Sequence, residues 1–300
     1  MLDNIQVLIV APVFAVDLLL QGLFIGAIFA LAAYGLALVW GVMNVKNLCQ
    51  GDFVIMGGYI AFTMSWFDIH PIIALPVAFV LMFAFGWIVY LLIIKRVVDR
   101  DMFTSLLATF GLSLLIQQVL QLIFGPEVQT TDAGFDSIVL ADSMIILPWA
   151  RIISLILASV LALGIIVFMK YSRMGRAIRA TAQDPRAARV LGVDTNLVYA
   201  FTYALNAAIC GAAGVLVAMI WVIQPYYGIV HSIRAFVIVT AAGLGNLPGV
   251  IAAGFGLGIA EKYADFVFGA EFAVAAVVSM LIIVLVYRQL QLYRLRQVVR

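Results

Sequence analysis

Apolar residues in this chain come in long runs, at about 17–41, 52–67, 71–94, 103–125, 150–169, 198–223, 233–262 and 271–287. A helix needs roughly 20 apolar residues to cross the hydrocarbon core of a bilayer, and stretches of that order recur from one end of the sequence to the other. The pattern predicts an all-α fold, a polytopic membrane protein with about eight transmembrane helices that forms one membrane-spanning domain over residues 1–300. The run at 233–262 is interrupted by Gly243-Leu244-Gly245-Asn246-Leu247-Pro248-Gly249. A second polar stretch, Asn44, Asn47, Gln50, Gly51 and Asp52, stands ahead of the short run containing Gly57 and Gly58. Some of the helices are therefore expected to be broken or re-entrant.

Composition agrees. The chain is 66% hydrophobic and 11% charged, with a mean hydropathy of +1.17, whereas about a quarter of the residues in a soluble domain are charged. The stretch Met1 to Gln6 has no basic residue ahead of the first run, so no cleaved signal peptide is expected there and the N-terminus is expected to be retained. Cys49 and Cys210, the two cysteines, lie in or beside apolar segments without metal-ligand spacing. They read as small buried hydrophobes, with no disulfide framework and no metal site.

The net charge of +2 becomes informative once the charges are placed. Lys46; Lys95, Arg96 and Arg100; Lys170, Arg173, Arg176, Arg179, Arg186 and Arg189; and Arg288, Arg294, Arg296 and Arg300 make up 14 of the 17 Lys and Arg residues. The positive-inside rule puts these four segments in the cytoplasm. The loop from Pro126 to Pro148 carries Glu127, Asp132, Asp136 and Asp142 without a Lys or Arg, so it is expected on the other side. Tracing outward from these anchors makes the N-terminus periplasmic and the C-terminus cytoplasmic in a bacterial inner membrane. A single span over 233–262 would strand the basic tail outside. Two pieces, Ile233 to Leu244 and Pro248 to Lys262, folded back on each other remove that conflict.

Irregular backbone at membrane depth is tolerated only where protein or a watery cavity satisfies its polar groups, and interrupted helices in both halves are expected of a transporter site. The expected solute pathway is therefore bordered by Asn44, Asn47, Gln50, Gly51, Asp52, Gly57 and Gly58 on one side and by Gly243, Gly245, Asn246, Pro248 and Gly249 on the other. The connection at about 170–197 is far longer than a connector needs to be. Its Ala-rich stretch, interrupted at Pro185 and stopped at Gly192, predicts short helices at the membrane surface. Such helices could dock into another protein or rest on anionic headgroups.

Three blocks resemble the permease family of branched-chain amino-acid ABC importers, in order and over nearly the whole chain. The first runs Gly22-Leu23-Phe24-Ile25-Gly26-Ala27 through Gly41-Val42-Met43-Asn44-Val45-Lys46-Asn47-Leu48-Cys49-Gln50-Gly51-Asp52 to Met56-Gly57-Gly58-Tyr59. The second is Gly175-Arg176-Ala177, Arg179-Ala180 and Leu191-Gly192-Val193, similar to the family's cytoplasmic coupling segment. The third is Gly243 to Gly249 continuing to Gly254 and Leu257-Gly258-Ile259-Ala260-Glu261. One departure is that Gln50 stands where the family usually has a histidine in an Asn-x-x-His-Gly run.

The resemblance implies a pair of permease subunits, identical or related, two cytoplasmic ATPases and a periplasmic binding protein. ATPase docking is then expected at Gly175, Arg176, Arg179, Ala180, Gln183, Asp184, Leu191 and Gly192. The chain is not expected to be an enzyme or to bind a cofactor itself. It has no GxxxxGK[ST] phosphate loop, so ATP would be used by partner subunits, and it has no HExxH pair or GxSxG elbow. Nothing in it points to nucleic acid. Expected cargo is leucine, isoleucine or valine, with urea, short amides and aromatic carboxylates as the other solutes open to related permeases. A passive small-solute channel is the rival class, and it would not need the long basic loop.

Ionisable residues inside spans are costly unless paired or hydrated. Asp52, Arg234, Glu261 and Lys262 fall near expected helix ends, where snorkelling or capping competes with substrate contact. Asn206 lies mid-span and is expected to bond to another helix. His70 and His231 fall at expected external turns, in surface or packing roles.

Overall fold

The computed structural model describes residues 4, 6, 8, 10–131, 134–140, 145–243, 245–269 and 272–298. Asp132, Asp142, Leu244 and Arg300 lie outside the described residues, as do the side chains of Arg288, Arg294 and Arg296. The protein is an all-α polytopic membrane fold. Its helices are α1 (Pro12–Met43), α2 (Gln50–Ser65), α3 (Pro71–Val97, with a π-turn at Tyr90–Ile94), α4 (Met102–Phe124), α5 (Trp149–Tyr171), α6 (Arg173–Gln183), α7 (Pro185–Val190), α8 (Thr195–Ile220), α9 (Gly228–Ala242), α10 (Leu247–Phe268) and α11 (Ala273–Val298). Five of them, α1, α3, α4, α5 and α8, are long and apolar enough to cross a bilayer. A β-hairpin, Ser137–Leu140 antiparallel to Ile145–Pro148, sits in the acidic loop, where the hydropathy pattern gave no sign of it.

Local chemistry explains where many of the helices start and stop. Side chains accept from orphan backbone N–H groups at one N-terminus after another: Asp101 from Thr104 (3.1 Å), Ser172 from Gly175 (2.8 Å), Asp184 from Arg186 (2.8 Å), Asp194 from Asn196 (3.0 Å) and Asn246 from Gly249 (3.0 Å). Proline opens α1, α3 and α7, where its missing N–H costs nothing. Asn44, at φ 55°, ends α1, and Gly243, at φ 90°, ends α9. The segment expected as two pieces is indeed two helices, α9 and α10, packed against each other.

α1 and α8 form the centre. In each, 94% of the apolar window is buried, against 33% in α3 and α4 and 22% in α5. α2 and α3 pack on α8, while α9 and α10 pack on α1, and α5 leans on both from outside. The α6–α7 connection seats Ile178, Thr181 and Ala188 inward and leaves most of its basic side chains exposed.

Candidate functional site

The polar break after α1 folds back into the bundle. Gln50 Nε2 donates to the Ala32 carbonyl (2.8 Å), 11 residues before the end of α1, or roughly 16 Å along a helix rising 1.5 Å per residue. α2 therefore begins at depth. The first turn of α9 meets it there: Gly51 N donates to Ser232 Oγ (2.8 Å), and Ser232 Oγ donates to the Leu48 carbonyl (2.8 Å). The backbones touch so closely that a Cβ on Gly51 would stand 2.6 Å from Ser232 N. Only glycine permits this approach.

Two helix N-termini thus converge inside the protein, and Asp52 lies between them. Its Oδ1 accepts from Gln117 Nε2 (2.9 Å) and packs on Gly228 at the start of α9. The positive ends of both helix dipoles face this side chain, whose Oδ2 is buried without a hydrogen-bond partner among the described residues. Capping, one of the roles expected for Asp52, is not what the side chain does: neither α2 nor α9 has a side-chain cap hydrogen bond, and Asp52 bonds to Gln117 of α4 instead.

Around this junction runs a buried polar network. Asn47 Nδ2 donates to Gln50 Oε1 (3.3 Å), Cys49 Sγ and Tyr203 OH both donate to Asn47 Oδ1 (2.9 and 3.4 Å), and Gln50 Nε2 reaches Cys210 Sγ (2.9 Å). Thr109 of α4 ties Leu48 N (3.2 Å) to the Lys46 carbonyl (3.3 Å). Asn47, Cys49, Gln50, Tyr203 and Cys210 are wholly buried. Both cysteines are free. Gly57 and Gly58 lie against Gly211 and Gly214 of α8. Asn206 does not reach across to another helix as expected: it accepts from Cys210 one turn on in its own helix (3.7 Å), and its Nδ2 has no partner. Its Oδ1 packs against Gly35 of α1, where a Cβ would collide with it, so Asn206 meets the neighbouring helix by packing.

The candidate pathway residues therefore divide. Asn47, Gln50, Gly51, Asp52, Gly57 and Gly58 are tied into this packed junction between α1, α2, α8 and α9. Gly243, Gly245, Asn246, Pro248 and Gly249 form the α9–α10 turn, where Gly245, Asn246 and Pro248 are exposed. Asn44, exposed at the end of α1, lies apart from the junction residues and shares with Gly245 a cavity of about 560 Å³ lined also by Trp40, Arg179, Gln183 and Leu247. It joins the first interruption to the second and to the α6 segment.

The docking candidates divide as well. Gly175 is buried under the end of α5, and Arg179 donates to the Met169 and Lys170 carbonyls there, satisfying groups that the helix leaves open. Arg176, Ala180, Gln183, Asp184, Leu191 and Gly192 face outward.

Sequence reading missed the partners. Gln117, Tyr203 and Cys210 sit inside apolar runs and Ser232 stands just ahead of one, and that placement of polar groups is the signal that marks them. It also placed His231 at an external turn and Arg234 and Glu261 at helix ends. His231 is buried on the first turns of α9. Arg234 and Glu261 form a two-pronged ion pair across α9 and α10, with Nε to Oε2 at 3.0 Å, and the side chains are 12% and 5% exposed. Lys262 pairs with Asp265 at 3.2 Å. Among the described residues no group of three His, Cys, Asp or Glu side chains is gathered to hold a metal.

Two buried spanning helices at the centre, with interrupted helices packed on them and backbone breaks satisfied inside the protein, make this a multi-pass membrane protein. Residues 18–287 match the family described as the permease component of the branched-chain amino acid transport system, and the chain belongs to it. It is 28% identical over 286 residues to the high-affinity branched-chain amino acid transport system permease protein BraD of Pseudomonas aeruginosa, covering 90% of this chain and 92% of that one. Against LivH of Escherichia coli K12 the figures are 27%, 88% and 91%. Against a probable branched-chain amino acid transport permease protein LivH of Methanocaldococcus jannaschii they are 30%, 86% and 85%. A solved chain of PsaBC from Streptococcus pneumoniae in complex with Fab has a TM-score of 0.48 at 13% identity, over 88% of this chain and 89% of that one, a likeness too loose to bear on function.

Proposed function

We propose that this chain is a permease subunit of an ATP-driven importer of branched-chain or related amino acids in a bacterial inner membrane. Its N-terminus is periplasmic, and its C-terminus and α6–α7 segment are cytoplasmic. A second permease subunit, two cytoplasmic ATPases that use the ATP, and a periplasmic binding protein complete the machine. The relatives' own cargo, branched-chain amino acids by name, supports the choice of solute.

One observation carries the coupling role. At the tip of the basic α6–α7 pair, Val190 and Leu191 are 88% and 82% exposed, flanked by exposed Arg186 and Arg189. Two large apolar side chains held in the open at a helix end favour contact with another protein. A helix lying on headgroups would instead spread its apolar residues along one face. A push on this tip has a route inward, because α6 is anchored to the end of α5 through Arg179 and borders the cavity reached by Asn44 and Gly245.

The double substitution Val190→Asp and Leu191→Asp tests this. The purified chain should keep its melting behaviour to within about 0.5 kcal/mol, as exposed positions do, while ATPase co-purification and ATP-driven uptake fall away. Undiminished ATPase association and uptake would overturn the docking role. Labelling of a cysteine placed at 190 from the periplasmic side would overturn the orientation.

A further inference from the structure

Among the described residues, Arg234 and Glu261 form a buried charge pair outside the polar junction, and aromatic rings surround it. The Arg234 guanidinium lies 4.7 Å from the Phe29 ring centre and 5.7 Å from that of Trp221. His231, one turn earlier on α9, stands 6.5 Å from each of those rings. Three helices and the end of a fourth, α1, α9, α10 and α8, thus frame one positive and one negative group with flat aromatic walls. Ser232, two residues away on α9, is bonded into the α2 junction, so the frame is built onto the interrupted helices.

Stability does not account for the pair. Desolvating two charges offsets most of their attraction, and apolar replacements of such pairs are often neutral or stabilising. An intramembrane pair is more economically explained by something that must recognise charge. Resting on the reading of this chain as an amino-acid permease, we infer that Arg234 and Glu261 form its zwitterion-reading site. In the closed state each group satisfies the other. A passing amino acid offers the same two charges, its carboxylate to Arg234 and its ammonium to Glu261, so the pair exchanges partners without leaving a charge bare. The solute's apolar side chain then lies against Phe29 and Trp221. An amino-acid amide, which keeps only the ammonium, or a lone carboxylate would satisfy one half and strand the other, which costs more than a missing hydrogen bond.

The test uses the complete complex with its binding protein, for labelled leucine uptake, and the purified permease, for labelled leucine binding. In the wild type, leucinamide and 4-methylpentanoate should each compete at least about tenfold more weakly than leucine. Arg234→Gln should abolish the discrimination against leucinamide while keeping that against 4-methylpentanoate. Glu261→Gln should do the reverse. A double substitution, Arg234→Met with Glu261→Leu, should fold with unchanged melting behaviour and lose both preferences along with uptake. Equal competition by the half-analogues in the wild type, discrimination that persists in the variants, or full uptake by the double variant while the wild-type complex imports leucine would overturn the inference alone. A wild-type complex that imports no branched-chain amino acid would overturn the proposed cargo and this site with it.

Discussion

α8 and α5 both cross the bilayer, yet they are made on opposite plans. α5 is the more apolar of the two, and only 22% of its apolar window is buried; α8 is less apolar, and 94% of its window is buried. In a soluble protein the ranking would be reversed. Lipid tails are as apolar as leucine, so burying leucine against another helix gains little, and association rests on close packing and on polar groups that lipid cannot satisfy. α8 accordingly carries Tyr203, Asn206, Cys210, Gly211 and Gly214 into the centre, while α5 turns Ile156, Val160, Leu163 and Val167 outward.

The strongest way to break the contrast is to add bulk to each helix. Gly214→Leu in α8 drives a side chain into Val54 and Gly58, where a Cβ alone would stand 2.8 Å from Gly58 N. The expected cost is at least about 4 kcal/mol, as for severe overpacking in a core that cannot yield, read as loss of a monodisperse, cooperatively melting protein in detergent. If Gly214→Leu melts like the wild type, α8 is not the tightly packed centre described above.

Next in size is the polar content of the centre. Gln50→Leu removes the donor to Ala32 and Cys210 and the acceptor for Asn47, with an expected loss of about 1–3 kcal/mol from stranded buried groups. Gln50→His sharpens the same point, since it restores the residue usual at this position in the family. It keeps polar bonding capacity but cannot bond both Ala32 and Asn47 in the amide's geometry, so the melting shift should correspond to about 1 kcal/mol. Gly164→Leu in α5 completes the series. No atom lies within 4 Å of a Cβ there, and the side chain enters a gap of about 450 Å³ beside Phe83 and Phe201. Stability should change by no more than about 0.5 kcal/mol.

The sequence by itself determined the solvent, the breaks and the long basic connection. A chain with so few charges must be membrane-embedded, and Pro, Gly, Asn and Asp stop or start helices through their own backbone chemistry, which is local. Asn44, Gly243 and Asn246 are where the pattern put them. Only the tertiary structure decided which helices are central, because hydropathy does not distinguish lipid from protein as an apolar neighbour. It also decided which broken ends meet. The turn before α2 closes on the start of α9, near Gly228, while Asn44 and Gly245 line one cavity between the two interruptions. Arg234 and Glu261 are 27 residues apart, and each alone reads as an expensive charge near a helix end. Their neutralisation by each other is a property of how α9 and α10 fold back, set by packing against α1 and invisible to any local rule.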